Sequence, residues 1–203
     1  MKGLSKRRRR IGIFGGSFDP PHIGHFYCAR VAAEKLGLDR LLVIPAALQP
    51  HKLEGAAASS ELRCRMVEAL IKDDPLFELS LMEIERGGIS YTVDTLRALS
   101  EVYPESDHEL FCLIGADSFE DIDTWRDTKS IFKLARIVVL SRPGNEHEKR
   151  VNKWSNRAID IVIPKIEISS TEIRHRIAED LPIRLLVGES VERIILENHL
   201  YQV

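Results

Sequence analysis

The chain predicts an α/β fold: one domain on a doubly wound parallel sheet with helices on both faces. Three observations carry this. Short apolar runs, such as Arg40 to Pro45 and Ala135 to Leu140, alternate with stretches of helical periodicity from end to end. The runs are continuously apolar, as strands covered on both faces are. Polar clusters follow the strands directly, where right-handed crossovers gather the loops of a parallel sheet along its carboxyl edge. At 203 residues there is room for one such domain with a sizeable core.

In chain order, Ile11-Gly12-Ile13-Phe14 reads as a buried strand entering the turn Gly15-Gly16-Ser17-Phe18-Asp19-Pro20-Pro21. The glycines remove side-chain bulk where backbone must approach a ligand, and Asp19 is expected to order the turn through local hydrogen bonds. Ile23 to Leu36 has the apolar period of a helix, with Gly37 as its C-cap. Arg40 to Pro45 is a second strand. Ala46 to Ser60 is a loop interrupted by Pro50-His51-Lys52. A helix from Ser60 to about Lys72 turns Leu62, Met66, Ala69 and Leu70 inward. Phe77 to Ser80 alternates as a strand, and Ser90-Tyr91-Thr92 caps a helix over Val93, Leu96 and Leu99. His108 to Ile114 is a strand ending at Gly115-Ala116-Asp117-Ser118, and an acidic helical segment leads to Trp125. A helix over Thr128 to Leu134 precedes the strand Ala135 to Leu140, closed by Ser141-Arg142-Pro143-Gly144. After a charged, mobile stretch from Asn145 to Asn156, Ala158 to Pro164 is the last strand. Ile168 to Arg174 enters a helix, and a final helix starts near Ser190 with Val191, Ile194, Ile195 and Leu200.

Composition excludes several classes. With 44% apolar and 30% charged residues, the chain is globular rather than disordered. No apolar run approaches the roughly 20 residues that span a bilayer, so no membrane is expected. A net charge of −2 provides no basic field for nucleic acid. Cys28, Cys64 and Cys112 are odd in number and widely spaced, which argues against a disulfide framework or a cysteine-rich zinc site and for a reducing cytoplasm. Lys6-Arg7-Arg8-Arg9-Arg10 resembles a signal n-region, but only four apolar residues follow, too few for a signal core. Residues 1–10 therefore read as a basic, solvated arm ahead of the domain at 11–203. The state of self-association is left open, a homo-oligomer included.

The chemistry concentrates after the first strand. A helix opening there offers unpaired N–H groups and the positive end of its dipole, a ready anion site. His22 and His25, three apart, share one helix face. Paired imidazoles beside a glycine turn point to phosphate. The glycines match neither G-x-G-x-x-G nor G-x-x-x-x-G-K-[ST], so neither a dehydrogenase fingerprint nor an ordinary kinase loop is present. Near the far end stands Ser169-Ser170-Thr171-x-x-Arg174. His51, His108, His147, His175 and His199 read as structural or surface residues.

These motifs resemble the H-x-G-H nucleotidyltransferase superfamily, which is Rossmann-like and shares its ATP-site logic with class I aminoacyl-tRNA synthetases. Within it, Gly15 to His25 (GGSFDPPHIGH), Ser90 to Leu96 (SYTVDTL), Gly115 to Ser118 (GADS), Ser141 to Gly144 (SRPG) and Ile168 to Arg174 (ISSTEIR) occur in the order found in nicotinate-mononucleotide adenylyltransferases. The resemblance implies transfer of AMP from ATP to the 5′-phosphate of nicotinate mononucleotide, giving the deamido dinucleotide and pyrophosphate in NAD biosynthesis. It implies His22 and His25 on the ATP phosphates, with His25 nearer the α-phosphate, and Lys52 reaching a phosphate. It implies Gly15, Gly16, Ser17 and Phe18 as the ATP turn, and Ser169, Ser170, Thr171 and Arg174 at the β- and γ-phosphates. Asp117 would take ribose hydroxyls. The mononucleotide would lie between Tyr91-Thr92 and Trp125, with backbone N–H groups on its carboxylate and the indole on its ring. Mg²⁺ would ride mainly on the triphosphate, since no protein carboxylate cluster is evident for metal binding.

The alternatives are another acceptor, nicotinamide mononucleotide or phosphopantetheine, and a non-catalytic nucleotide-binding regulator. Ser90 to Leu96 with Trp125 favours a pyridine nucleotide, and retention of His22, His25 and Arg174 favours catalysis. A tRNA-charging fragment lacks support, having no anticodon-binding region or basic surface. One departure stands out: Gly188 and Ile194 occupy places where the family usually has a proline opening the last helix and a tyrosine within it, which puts that helix's stability in question.

Overall fold

The computed structural model describes residues 7–50, 56–143 and 153–202. Six strands form one sheet: β1 Arg9–Gly16, β2 Arg40–Pro45, β3 Phe77–Leu79, β4 His108–Gly115, β5 Arg136–Ser141 and β6 Ala158–Val162. Their order is β3-β2-β1-β4-β5-β6, and every adjacent pair is parallel. The chain winds outward from β1 in both directions, so the order reverses between β1 and β4. A crevice opens there at the carboxyl ends, beside Gly16 and Gly115.

The strands are apolar on both sides because both sides are covered. In β4, Cys112 and Ile114 join a core with Val93, Leu96 and Leu99 of α4 (Thr92–Val102) and Ile131 of α6 (Thr128–Leu134). The alternate residues Phe111 and Leu113 pack on the other face against Ala29, Ala32 and Ala33 of α1 (Ile23–Leu36). Successive side chains of a strand point to opposite faces, so one run serves two cores.

A third cluster unites α2 (Ser60–Ile71) with the C-terminal helices α7 (Ser170–Ala178), α8 (Arg184–Val187) and α9 (Glu189–Glu197), through Met66, Ile173, Val187, Val191 and Ile195. The last helix is thus secured. Gly188 sits at φ 80°, ψ 160° and donates its N–H to the Arg184 carbonyl at 2.7 Å. That backbone is glycine's alone, and a proline, with φ locked near −65° and no N–H, fits neither role. Ile194 packs partly buried in the same cluster.

Several expectations need correction. β1 begins at Arg9, and Arg7 is paired with Asp39 at 2.6 Å, so residues 7 to 10 of the basic arm are structured. In α2, Met66, Ala69 and Leu70 turn inward as predicted, but the fully buried face also takes Arg63, Cys64, Val67 and Ile71 and leaves Leu62 only half-buried. Two short helices, α3 (Met82–Arg86) and α8, lack the length for a periodic signal and were not foreseen. α5 (Ala116–Glu120) and a 3-10 turn at Ile122–Thr124 form the acidic segment. Of the charged stretch after β5, residues 144–152 lie outside the described residues, while Trp154 is buried and stacks on Phe132 at 4.6 Å. No described helix is long and apolar enough to cross a membrane.

Candidate active site

Gly15 and Gly16 end β1, and the chain then turns through Phe18 at φ 51° before α1 starts at Ile23. A buried non-glycine residue in the left-handed region is held there by its surroundings. Gly16 is constrained by packing, since a Cβ there would stand 3.1 Å from the Phe18 ring, whereas one on Gly15 would make only an ordinary contact, 3.9 Å from the Ile44 carbonyl oxygen. His22, only 4% exposed, is the N-cap of α1. Its ring stacks on that of His25 with centroids 3.5 Å apart. Gly24 is what allows this, because a Cβ there would press on the His22 ring at 3.1 Å and on Ile166 at 3.2 Å.

Burial pulls His22 from its ordinary 6.5 down to about 4. Burial, with His22 alongside, pulls His25 down to about 3. Both imidazoles are therefore neutral at pH 7 in the free protein. The backbone N–H of His22 donates to His25 Nδ1 at 3.3 Å. That bond assigns the His25 proton to Nε2, which remains the ring's donor. Among the described residues the buried Nδ1 of His22 has no hydrogen-bond partner, an unusual state for a polar atom that a ligand could relieve.

Residues far along the chain hold the turn. Arg174 Nη1 donates to the Asp19 carbonyl at 2.7 Å, and Ser170 Oγ donates to the Pro20 carbonyl at 2.8 Å. The start of α7 is thereby docked on the H-x-G-H turn. Ser169 Oγ caps α7 by accepting from the Glu172 N–H at 3.1 Å. The Asp19 carboxylate does not order the turn locally. It accepts from the Ala57 and Ala58 N–H groups at 2.7 and 3.0 Å and from the Tyr201 hydroxyl at 2.7 Å. The turn's own N–H groups cannot converge on that carboxylate once it faces three partners from elsewhere.

Two clefts meet along Gly15, Gly16 and Ser17. The first, about 720 Å³, is lined by Gly15, Gly16, Ser17, Phe18, His22, His25, Asp117, Ser169, Ser170, Thr171 and Arg174, every predicted ATP-site residue within the described set. Lys52 lies outside the described residues. The second, about 460 Å³, is lined by Tyr91, Thr92 and Trp125, the predicted mononucleotide residues, together with Glu83 and Arg126. Arg126 lies over the Tyr91 ring at 4.8 Å and pairs with Asp94 at 3.3 Å. Ser90 makes no helix cap. Its N–H donates to the Leu48 carbonyl and its Oγ accepts from the Ala47 N–H, fastening the second cleft to the exit of β2.

Sequence reasoning missed Arg63. It is 2% exposed and donates to the carbonyls of Ser17 at 2.6 Å and Ala46 at 2.8 Å, so it braces the turn from below. A signal existed: an arginine on the apolar stripe of a helix, in phase with Met66 and Val67, has no reason to be there unless its charge is used. Gln49, which accepts from Ser17 Oγ at 2.8 Å, had no such signal.

Residues 13–176 match the Cytidylyltransferase-like family. The chain is 39% identical over 202 residues to a probable nicotinate-nucleotide adenylyltransferase of Desulfitobacterium hafniense, covering 96% of this chain and 97% of that protein. It is 41% identical over 193 residues to one of Thermus thermophilus, covering 95% and 100%. Its fold matches the structure of Plasmodium falciparum nicotinic acid mononucleotide adenylyltransferase complexed with APC, with a TM-score of 0.73 at 18% identity over 96% of this chain and 98% of that one. With five motifs in family order lining two joined clefts, and relatives of this similarity over nearly the whole length, the chain belongs to the nicotinate-nucleotide adenylyltransferases of the cytidylyltransferase-like family.

Proposed function

We propose that the chain transfers AMP from ATP to the 5′-phosphate of nicotinate mononucleotide, releasing pyrophosphate. The observation that carries the assignment of roles is the stacked, neutral imidazole pair beside the Ser-Thr-Arg helix start, in a cleft that opens onto a second, aromatic one.

The acceptor is a phosphate monoester whose second pKa lies near 6, so it is largely dianionic at neutral pH. No residue has to remove a proton from the nucleophile. The protein must bring two anions together and offset charge on the α-phosphate during in-line attack. In this reading His25 Nε2–H donates to the α-phosphate, and His22 gains its missing partner from the same triphosphate. Arg174, Ser170 and Thr171 receive the β- and γ-phosphates with the first N–H groups of α7. Lys52 adds a charge, and Asp117, exposed at the start of α5, takes ribose hydroxyls. Across the glycines, Trp125 covers the pyridine ring, and the N–H groups near Tyr91 and Thr92 take the carboxylate.

The donor set suits a magnesium ion that arrives on the triphosphate. Among the described residues, no group of three or more His, Cys, Asp or Glu side chains is placed to hold a metal, and both Asp19 oxygens are already engaged. Mg²⁺ keeps several waters and binds readily through phosphates with few protein ligands; when bound it neutralises phosphate charge. Three free cysteines suit a reducing compartment such as the cytoplasm.

The test is pyrophosphate release with ATP and Mg²⁺, comparing nicotinate and nicotinamide mononucleotides at equal concentration. Faster turnover on the acid is expected. Release with neither, or only with phosphopantetheine, would overturn the assignment.

A further inference from the structure

We propose that Tyr201 is a positioning residue for the phosphate cleft, acting through Asp19 across 182 residues of sequence. Its hydroxyl donates to Asp19 Oδ1 at 2.7 Å, and Asp19 is 8% exposed. Tyr201 holds φ at 63°, a left-handed conformation that a bulky residue adopts only when its surroundings favour it. Burial and the bond to Asp19 push the phenol's pKa upward, so the hydroxyl keeps its proton and remains a donor across the working pH range.

Asp19 joins four parts of the fold. Its carboxylate binds the Ala57 and Ala58 N–H groups just ahead of α2, and the Tyr201 hydroxyl beyond α9. Its main-chain carbonyl accepts from Arg174 Nη1 at 2.7 Å. The buried Arg63 attracts the carboxylate and donates to the Ser17 carbonyl two residues upstream. The rotation of the Asp19 peptide therefore sets where the Arg174 guanidinium sits. Removing the Tyr201 hydroxyl leaves a buried carboxylate one donor short, and the turn must shift to recover it. The displacement reaches Arg174 and the histidine turn directly, while the second cleft meets this network only at the shared edge, at Ser17 and Ala46, whose carbonyls Arg63 holds. A merely structural tyrosine would affect both clefts or neither; a positioning tyrosine affects ATP alone.

The inference rests on the adenylyl-transfer reading for its substrates, and its test separates the two. Tyr201→Phe is compared with the wild type by steady-state kinetics, varying each substrate in turn, and by calorimetric titration with Mg²⁺-ATP. Expected is a loss of about 10-fold in kcat/KM for ATP and in ATP affinity, the scale of one hydrogen bond to a charged group, with KM for nicotinate mononucleotide within about 2-fold. Asp19→Asn, which keeps an acceptor but loses the charge, should show the same split, and it serves where the phenylalanine variant does not fold. The double variant should lose less than the two single losses combined. Unchanged ATP binding, or equal effects on both substrates, overturns the latch. A wild type that binds Mg²⁺-ATP but releases no pyrophosphate overturns the reaction and leaves the titration to decide the latch.

Discussion

The two clefts share the edge at Gly15 to Ser17 but are built in opposite ways. The first is assembled from distant pieces: the β1 turn, the start of α2, the start of α7 and the residue at 201, linked by hydrogen bonds spanning up to 182 positions. The second draws largely on one stretch, Glu83 to Ile131, around the exposed or half-buried Tyr91, Trp125 and Arg126. In the proposed reading the first holds cations and dipoles still against a flexible polyanion, which calls for bracing from several elements. In the same reading the second takes a flat ring, which needs only an aromatic surface and a few N–H groups. Changes in the first should therefore cost turnover and ATP handling, and changes in the second should be felt by the acceptor alone.

The largest separation should come from His25→Ala. Turnover is expected to fall on the order of 10²–10³-fold, as when one oxyanion donor is removed, with circular dichroism unchanged. Near-normal pyrophosphate release would remove His25 from the chemistry. Next, Arg174→Ala should lower kcat/KM for ATP by about 10- to 100-fold, the scale of a charge-assisted bond, while the mononucleotide KM holds; parallel changes in both would erase the contrast between the clefts. Trp125→Ala should do the reverse, raising the mononucleotide KM by about 10-fold, as loss of an aromatic stacking partner does, and leaving ATP within about 2-fold. An equal rise in both would make the tryptophan structural.

Two smaller effects sharpen the account of the first cleft. Gly24→Ala forces a Cβ to 3.1 Å from the His22 ring and 3.2 Å from Ile166, an overpacking of about 1–3 kcal/mol. The melting temperature should fall by about 2–4 °C for each kcal/mol in a chain of this size, and an unchanged value would mean the rings give way freely. The weakest signal is in pH. The folded histidines titrate near 4 and 3, below the unfolded 6.5. Between these values the unfolded chain binds more protons, so the contribution of the pair is complete above about pH 6.5 and declines as pH falls toward 4. Urea midpoints from pH 4.5 to 7 should therefore climb more steeply in the wild type than in a His22→Asn, His25→Asn double variant. Equal slopes would show that the imidazoles stay solvated.

Periodicity made the sheet and the larger helices legible, because continuously apolar strands and the 3.6-residue period are local properties. Ile23 to Leu36 and Arg40 to Pro45 come out with the boundaries read from sequence. The short α3 and α8 did not, because one turn of helix carries no period. Motif order brought His22, His25 and Arg174 to notice and left Arg63, Gln49 and Tyr201 out: Gln49 and Tyr201 act by contacts that no spacing encodes, and Arg63 is marked only by its place on the apolar stripe of α2.

By itself the sequence determined the α/β class, the glycine turn ahead of the histidine helix and the family to which the motifs belong. Each follows from residues close together in the chain, where propensity, glycine freedom and helix dipole act directly. Only the tertiary structure decided that the imidazoles stack neutral, that Asp19 faces residues 57, 58 and 201 rather than its own turn, and that the last helix is secured by packing on Met66, Ile173 and Val187. Desolvation and long-range hydrogen bonds depend on what packs against a residue, and that is settled only when the whole chain has folded.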